Sequence, residues 1–223
     1  GLTPELNVFY VLNLFKKDQK NIIILTSSIY EANNYYNLLQ TYTDKCLLFL
    51  MDDFVSSMVA ASPELKLTRL NTLDKINSSS HIIICNLMAY LMYLPSKEEI
   101  SKNIIKIRIN EEINRNDVIE KLINMGYHKD SITTATGDFS VRGMVIDIFP
   151  INEVHPLRIE LDDDKIIGIR YFDETSQMTI NKVDNIIIKP VDEIKTKNVI
   201  SVYDYLEDPI VVNIEKPQIE AAY

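Results

Sequence analysis

The sequence predicts an α/β chain: a parallel sheet with flanking helices, interrupted by a small α+β domain on an antiparallel sheet. Three observations predict it. Short unbroken apolar runs (NIIIL at 21–25, CLLFLM at 46–51, HIIIC at 81–85) alternate with helical patterns, as in strands covered on both faces. Beyond residue 110 the pattern becomes two-residue alternation with tight turns. Finally PIVVNI at 209–214 restores the first pattern.

The opening, GLTPELNVFYVLNL (1–14), is a small residue, a turn and an apolar run that reads as a helix. That is the shape of a phosphate-binding loop. A working loop needs glycines so that backbone N–H groups close on phosphate, a lysine for the outer phosphates and a hydroxyl for magnesium. Here the glycine is Gly1, and Pro4, Glu5, Leu6 and Asn7 stand where glycine, lysine and hydroxyl are needed. Pro4 removes a donor and Glu5 repels phosphate. The expectation is a degenerate nucleotide loop, with no cofactor and no catalytic residue in this chain.

The elements follow in order. Ser28 to Glu31 is a capping-box pattern that opens a helix with Ile29, Ala32, Tyr36 and Leu39 on one face. Ser62-Pro63 starts another, with Ser as cap and Pro at the first position, followed by Leu67, Leu70, Leu73 and Ile76. The serines at 78–80 link to the third strand, and 87–94 reads as a short helix stopped by Pro95. Repeated strand–helix units imply a parallel sheet. Asn114 to Met125 is an amphipathic helix (Val118, Ile119, Leu122, Ile123) closed by Gly126 in a left-handed cap. In the next region Leu157, Ile159 and Leu161 face one way and Arg158 and Glu160 the other; 162–164 is a turn and 165–171 the returning strand. Residues 199–206 suggest a helix before the last buried strand. The domains are therefore 1–110, an insertion at 111–195, and a return segment at 196–223 that completes the first.

Composition is that of an ordinary globular chain, 46% hydrophobic and 25% charged over 223 residues. A net charge of −9 argues against duplex DNA as the main partner of this segment. Cys46 and Cys85 sit at the edges of apolar runs and read as buried free thiols of a reducing compartment. His81, His128 and His155 lack ligand spacing, so no metal site is expected. No apolar run reaches the roughly 20 residues of a membrane span. A start on Gly rather than Met is expected of a piece of something longer.

The most informative stretch is GDFSVRGMVIDIFP, Gly137 to Pro150. It reads as two strands around Arg142-Gly143, the glycine marking a bulge or tight turn that aims the arginine. Alternation puts Val145, Asp147 and Phe149 on one face and Met144, Ile146 and Ile148 on the other. With LRIELDDDKIIGIRYFD (157–173) and Ser176-Gln177, this stretch resembles the pattern after the Gly-acidic-Phe-x-x-Arg-Gly motif of bacterial transcription-repair coupling factors. The excision-repair subunit UvrB shares the module. LTRLNTL (67–73), IIICNLMAYLMYLP (82–95) and INMGY (123–127) extend the resemblance over most of the chain.

The resemblance implies the amino-terminal, UvrB-like and RecA-like region of such a factor. UvrB keeps a working phosphate loop at the position of Gly1 to Asn7; the coupling factors have a decayed one. After the strand IVVN, where an acidic pair would hold magnesium, this chain has Ile214-Glu215. ATP and Mg2+ are then expected only in motor domains beyond this chain, which also engage DNA and stalled RNA polymerase in the cytoplasm. The inserted domain is expected to dock onto UvrA, and two arginines carry over to that task, Arg142 and Arg158. The family's aromatic contact falls here on Asp162, preceded by Leu161. A second expected partner is the carboxy-terminal regulatory domain of the same protein, which hides the UvrA surface at rest.

Plainer readings stand beside these. Arg142 can pair internally with Asp147 or Glu160; Asp162 to Asp164 can be a solvated turn. Tyr171 and Phe172 read as core, and Asp173 and Gln177 as structural. Two rival functions remain. UvrB itself would need an intact phosphate loop and a tyrosine-rich hairpin, and none is visible between Asn21 and Ser62. An unrelated α/β small-molecule enzyme would need a convergent acid, base or nucleophile at strand ends.

Overall fold

Buried apolar strands and amphipathic helices sort into two compact units, Gly1–Ser96 with Asn198–Tyr223, and Lys97–Lys197. The computed structural model describes residues 3–52, 62–151 and 153–214. Gly1, Glu215 and, within the stretch from Asn21 to Ser62 where a UvrB-like hairpin would fall, residues 53–61 lie outside these residues.

In the first unit, helix α1 (Pro4–Asp18) precedes strand β1 (Ile22–Thr26), followed by α2 (Ile29–Leu39), β2 (Cys46–Phe49), α3 (Pro63–Lys75), β3 (Ile82–Asn86), α4 (Leu87–Tyr90) and β4 (Tyr93–Pro95). The second unit contributes α5 (Lys97–Lys102), β5 (Ile105–Arg108), α6 (Arg115–Asn124), β6 (His128–Lys129), β7 (Asp138–Arg142), β8 (Val145–Ile148), β9 (Leu157–Asp162), β10 (Lys165–Phe172), β11 (Thr179–Lys182) and β12 (Asn185–Ile188). The chain then returns through β13 (Val199–Ser201), α7 (Val202–Tyr205) and β14 (Ile210–Asn213).

The first unit is built on a four-stranded sheet of order β14-β1-β3-β2, in which all pairings are parallel. Ile22, Ile24, Ile82 and Ile84 pack with Val8 and Val11 of α1 and Ala32, Tyr35 and Leu39 of α2. On the opposite side, Leu25 packs with Leu87, Tyr90 and Val211. Both faces are covered, which is why the strands are continuous isoleucine runs. The return of 209–214 to this sheet is as the sequence implies, with Ile22 to Leu25 in register with Ile210 to Asn213.

The second unit carries a six-stranded sheet of order β11-β10-β9-β8-β7-β6. Its long pairings are antiparallel, whereas the two-residue β6 runs parallel to β7. Tight connections fix the register. Arg142 pairs with Val145 across Gly143-Met144, and Gly143 has φ +57°, so the glycine serves a two-residue turn rather than a bulge. Asp162 pairs with Lys165 across Asp163-Asp164, with Asp163 at φ +51°. Ile146, Ile148, Leu157, Ile159, Leu161, Ile166 and Ile169 are all buried. Helix α6 buries Val118 and Leu122, is capped by the Asn114 side chain at its start, and ends at Gly126 with φ +89°.

Several local expectations are corrected. Residues 97–110 pack with the second unit, because β5 pairs antiparallel with β12 along Ile105 to Arg108. Helix α4 stops at Tyr90, four residues short of the expected end, and Tyr93–Pro95 is a strand paired with β13. The same pairing makes Val199–Ser201 extended, so only Val202–Tyr205 of the expected helix forms. Cross-strand pairing overrides helical periodicity here. The Ser62 side chain makes no cap bond; its N–H donates to Asp52 Oδ2 instead. The Glu31 carboxylate accepts from the Ser27 N–H and hydroxyl, one residue upstream of the capping-box partner, while the Ser28 hydroxyl accepts from the Glu31 N–H.

Candidate interaction site on the antiparallel sheet

Strand register brings the predicted arginines together. Along one rung Ser140, Asp147, Arg158 and Arg170 are direct neighbours on four successive strands. The next rung holds Arg142, Val145, Glu160 and Gly168. Directly paired side chains lie about 5 Å apart and diagonal ones about 7–8 Å apart, within reach of a guanidinium. Asp147 therefore faces Arg158 squarely and Arg142 diagonally.

Arg158 binds Asp147 bidentately, Nε to Oδ1 at 2.7 Å and Nη2 to Oδ2 at 2.8 Å. Arg142 adds Nη2 to Oδ2 at 2.8 Å. The Asp147 side chain is 2% exposed, that of Arg158 14% and that of Arg142 53%. The two arginines thus differ. Arg158 is also held by the Gln177 Oε1 at 2.8 Å, and its guanidinium lies 4.4 Å from the centre of the buried Phe172 ring. Its carboxylate partner pushes the Arg158 pKa further up, so the charge is permanent. Arg170, directly opposite Arg158, bonds Glu160 at 2.9 Å. Each of the two like charges on this rung has its own carboxylate, Asp147 of β8 for Arg158 and Glu160 of β9 for Arg170.

The turn after β10 delivers Gln177. Asp173 Oδ1 accepts from the N–H groups of Thr175 and Ser176, at 3.2 and 2.7 Å, and these bonds hold its carboxyl below the usual range. Gln177 then adopts φ +61°, donates its amide to the Glu174 carbonyl at 3.0 Å and accepts from Arg158. The structural role expected of Asp173 and Gln177 is visible in these bonds. Phe172 is core, as expected, and additionally supports Arg158.

The other two site residues diverge. Leu161 is 4% exposed and alternates to the buried side of β9, away from Arg158, so it offers no apolar contact at the surface. Asp162 is exposed at the strand end. Sequence reasoning named Asp147 only as an internal partner for Arg142. Its place between both arginines depends on the pairing of β8 with β9, which follows from the intervening connection rather than from any local pattern.

In the first unit, Pro4, Glu5, Leu6 and Asn7 form the opening turn of α1 behind the cap residue Thr3, whose hydroxyl accepts from the Leu6 N–H at 3.5 Å. The Asn7 amide donates to the Tyr35 hydroxyl at 3.2 Å. In open α/β sheets ligands bind outside the carboxyl ends of the strands. Here those ends are laced by side chains. Asn86 exchanges bonds with the Met51 N–H and carbonyl at 3.0 and 2.7 Å, and the buried Arg69 donates to the Leu50 carbonyl at 2.7 Å. Thr26 donates to the Ser28 carbonyl at 3.1 Å. Burial raises the Cys85 thiol pKa far above its ordinary value, which leaves it inert. Among the described residues no group of three or more His, Cys, Asp or Glu could hold a metal ion, and no helix is long and apolar enough to cross a membrane.

Comparison with known proteins matches the part of the chain that carries this sheet. Residues 105–193 match the family described as UvrB interaction domain. Over 198 residues, 87% of the chain, the sequence is 29% identical to the transcription-repair-coupling factor of Bacillus subtilis. It is 29% identical over 192 residues, or 84%, to that of Staphylococcus haemolyticus. Against that of Staphylococcus aureus strain bovine RF122 it is 27% identical over its whole length. The chain spans only 16–18% of these relatives.

Proposed function

We propose, from a chain related to transcription-repair-coupling factors along most of its length, that it is the module by which such a factor recruits UvrA to RNA polymerase stalled at DNA lesions. One observation carries this reading. Within the segment similar to the UvrB interaction domain, the two arginines carried over from the resemblance meet on a single carboxylate of the charged sheet face. Arginine forks match carboxylates bidentately and are frequent interface hot spots. Asp162, exposed at the edge of that face, replaces the family's aromatic contact, so the docking is more polar here.

The first unit is read as a nucleotide fold without nucleotide chemistry. Supporting this, Glu5 and Pro4 occupy the opening turn of α1, and the strand ends are closed by their own side chains. ATP hydrolysis, DNA and RNA polymerase then belong to parts of the protein beyond this chain, as does the regulatory domain that covers the docking face at rest. The buried free thiols Cys46 and Cys85 suit the cytoplasm.

Titration calorimetry of this chain with UvrA, and separately with MgATP, tests both halves. Binding to UvrA without ATP heat is the expected result. ATP binding would reinstate a UvrB-like role or a small-molecule enzyme. Silence toward UvrA would discard the docking module.

A further inference from the structure

The two arginines are not equivalent, and the difference rests on Asp147. Arg158 has its Nε and Nη2 on Asp147 and shares Nη2 with Gln177, over the Phe172 ring. Little of it reaches solvent. Arg142 spends one Nη2 bond on Asp147, at 2.8 Å, and over half of its side chain is exposed. Its backbone is set by the two-residue turn at Gly143, whose carbonyl is in turn held by Arg115 at 2.7 Å. A long arginine on an exposed turn samples many rotamers; a single fixed carboxylate removes most of them before a partner arrives. Order of that kind raises affinity by lowering the entropy lost on binding.

We infer that Asp147 is the positioning residue of the docking face: it aims Arg142 at the partner, and Arg158 contributes by bracing Asp147 rather than by touching the partner. The inference rests on the UvrA-docking reading above. The bracing runs one step further. Gln177 reaches Arg158 only because the Asp173-capped turn places it at φ +61°. The partner group that Arg142 meets is a carboxylate or carbonyl cluster, the acceptors a half-free guanidinium fork can take.

A double-mutant cycle separates positioning from general support of the fold. UvrA affinity is measured by calorimetry for the wild-type chain, Arg142→Ala, Asp147→Asn and the double variant, with urea unfolding confirming that each is folded. About a thirtyfold loss is expected for each single change, on the scale of an interface hot spot. In the Arg142→Ala background, Asp147→Asn should cost nothing more. Equal losses in both backgrounds would overturn the inference. If Asp147→Asn does not fold, Gln177→Ala replaces it, with a loss of about threefold that vanishes in the Arg142→Ala background. A loss that persists there, or none in wild type, overturns it equally. Failure of the wild-type chain to bind UvrA is a different result, and rejects the docking reading itself.

Discussion

The two sheets of this molecule spend their residues in opposite ways. In the parallel sheet every residue of β1 and β3 is buried, Ile82, Ile83 and Ile84 alike, because helices cover both faces. Only the strand ends remain for polar side chains; Asn86 and Thr26 use theirs to close the backbone, and Arg69 reaches in from α3 to the Leu50 carbonyl. In the antiparallel sheet β9 alternates, with Leu157, Ile159 and Leu161 buried while Arg158 and Glu160 stand on the other face. A sheet with one open face can carry a charge network; a sheet covered on both sides cannot. The difference explains why the charge network lies in the second unit.

Truncation of adjacent residues puts this contrast under the strongest test. Ile83→Ala and Ile84→Ala, neighbours pointing opposite ways, should each lose about 2–5 kcal/mol in urea unfolding. In β10 the same pair of changes should split: Ile166→Ala costly, Ile167→Ala within about 0.5 kcal/mol, since Ile166 is buried and Ile167 exposed. Comparable losses at Ile166 and Ile167 would erase the distinction between the sheets.

The next effect lies within the charge network. Arg158→Ala leaves a nearly buried carboxylate short of its main partner and should cost about 3 kcal/mol. Arg142→Ala, at an exposed position, should cost at most about 1 kcal/mol. Matching stability losses for the two would mean that burial does not distinguish them.

The smallest effect belongs to the first unit. His81 is buried before β3 and donates Nδ1–H to the Ser79 carbonyl at 2.7 Å. Burial lowers its pKa below the ordinary 6.5, outweighing that bond, and Lys45 and Lys75 add to the lowering. The unfolded chain therefore takes up the proton first as pH falls. Stability from this site is complete above about pH 6.5 and declines on acidification toward the folded-state value. His81→Gln should flatten unfolding free energy across that interval; an unchanged slope would show that His81 is not the group responsible.

Sequence alone fixed what periodicity encodes. Isoleucine runs between helical patterns specified a doubly covered parallel sheet, two-residue alternation specified the open-faced one, Gly126 marked a helix end, and Gly143 a bulge or a turn, between which only the pairing of Arg142 with Val145 decides. The motif around Arg142-Gly143 pointed to the region that matches the UvrB interaction domain. Residues 93–95 and 199–201 were misread because their conformation comes from each other across the chain, a partner more than a hundred residues away. The extent of the second unit depended likewise on β5 meeting β12. Tertiary structure also decided the roles of the arginines. Both appear in the sequence as charges on alternating strands. Only the register of β7, β8 and β9 puts Asp147 between them, and only the turn carrying Gln177 and the ring of Phe172 closes over one and leaves the other exposed. Periodicity is a property of neighbours along the chain, whereas burial and pairing of a charge depend on which distant strand lies alongside.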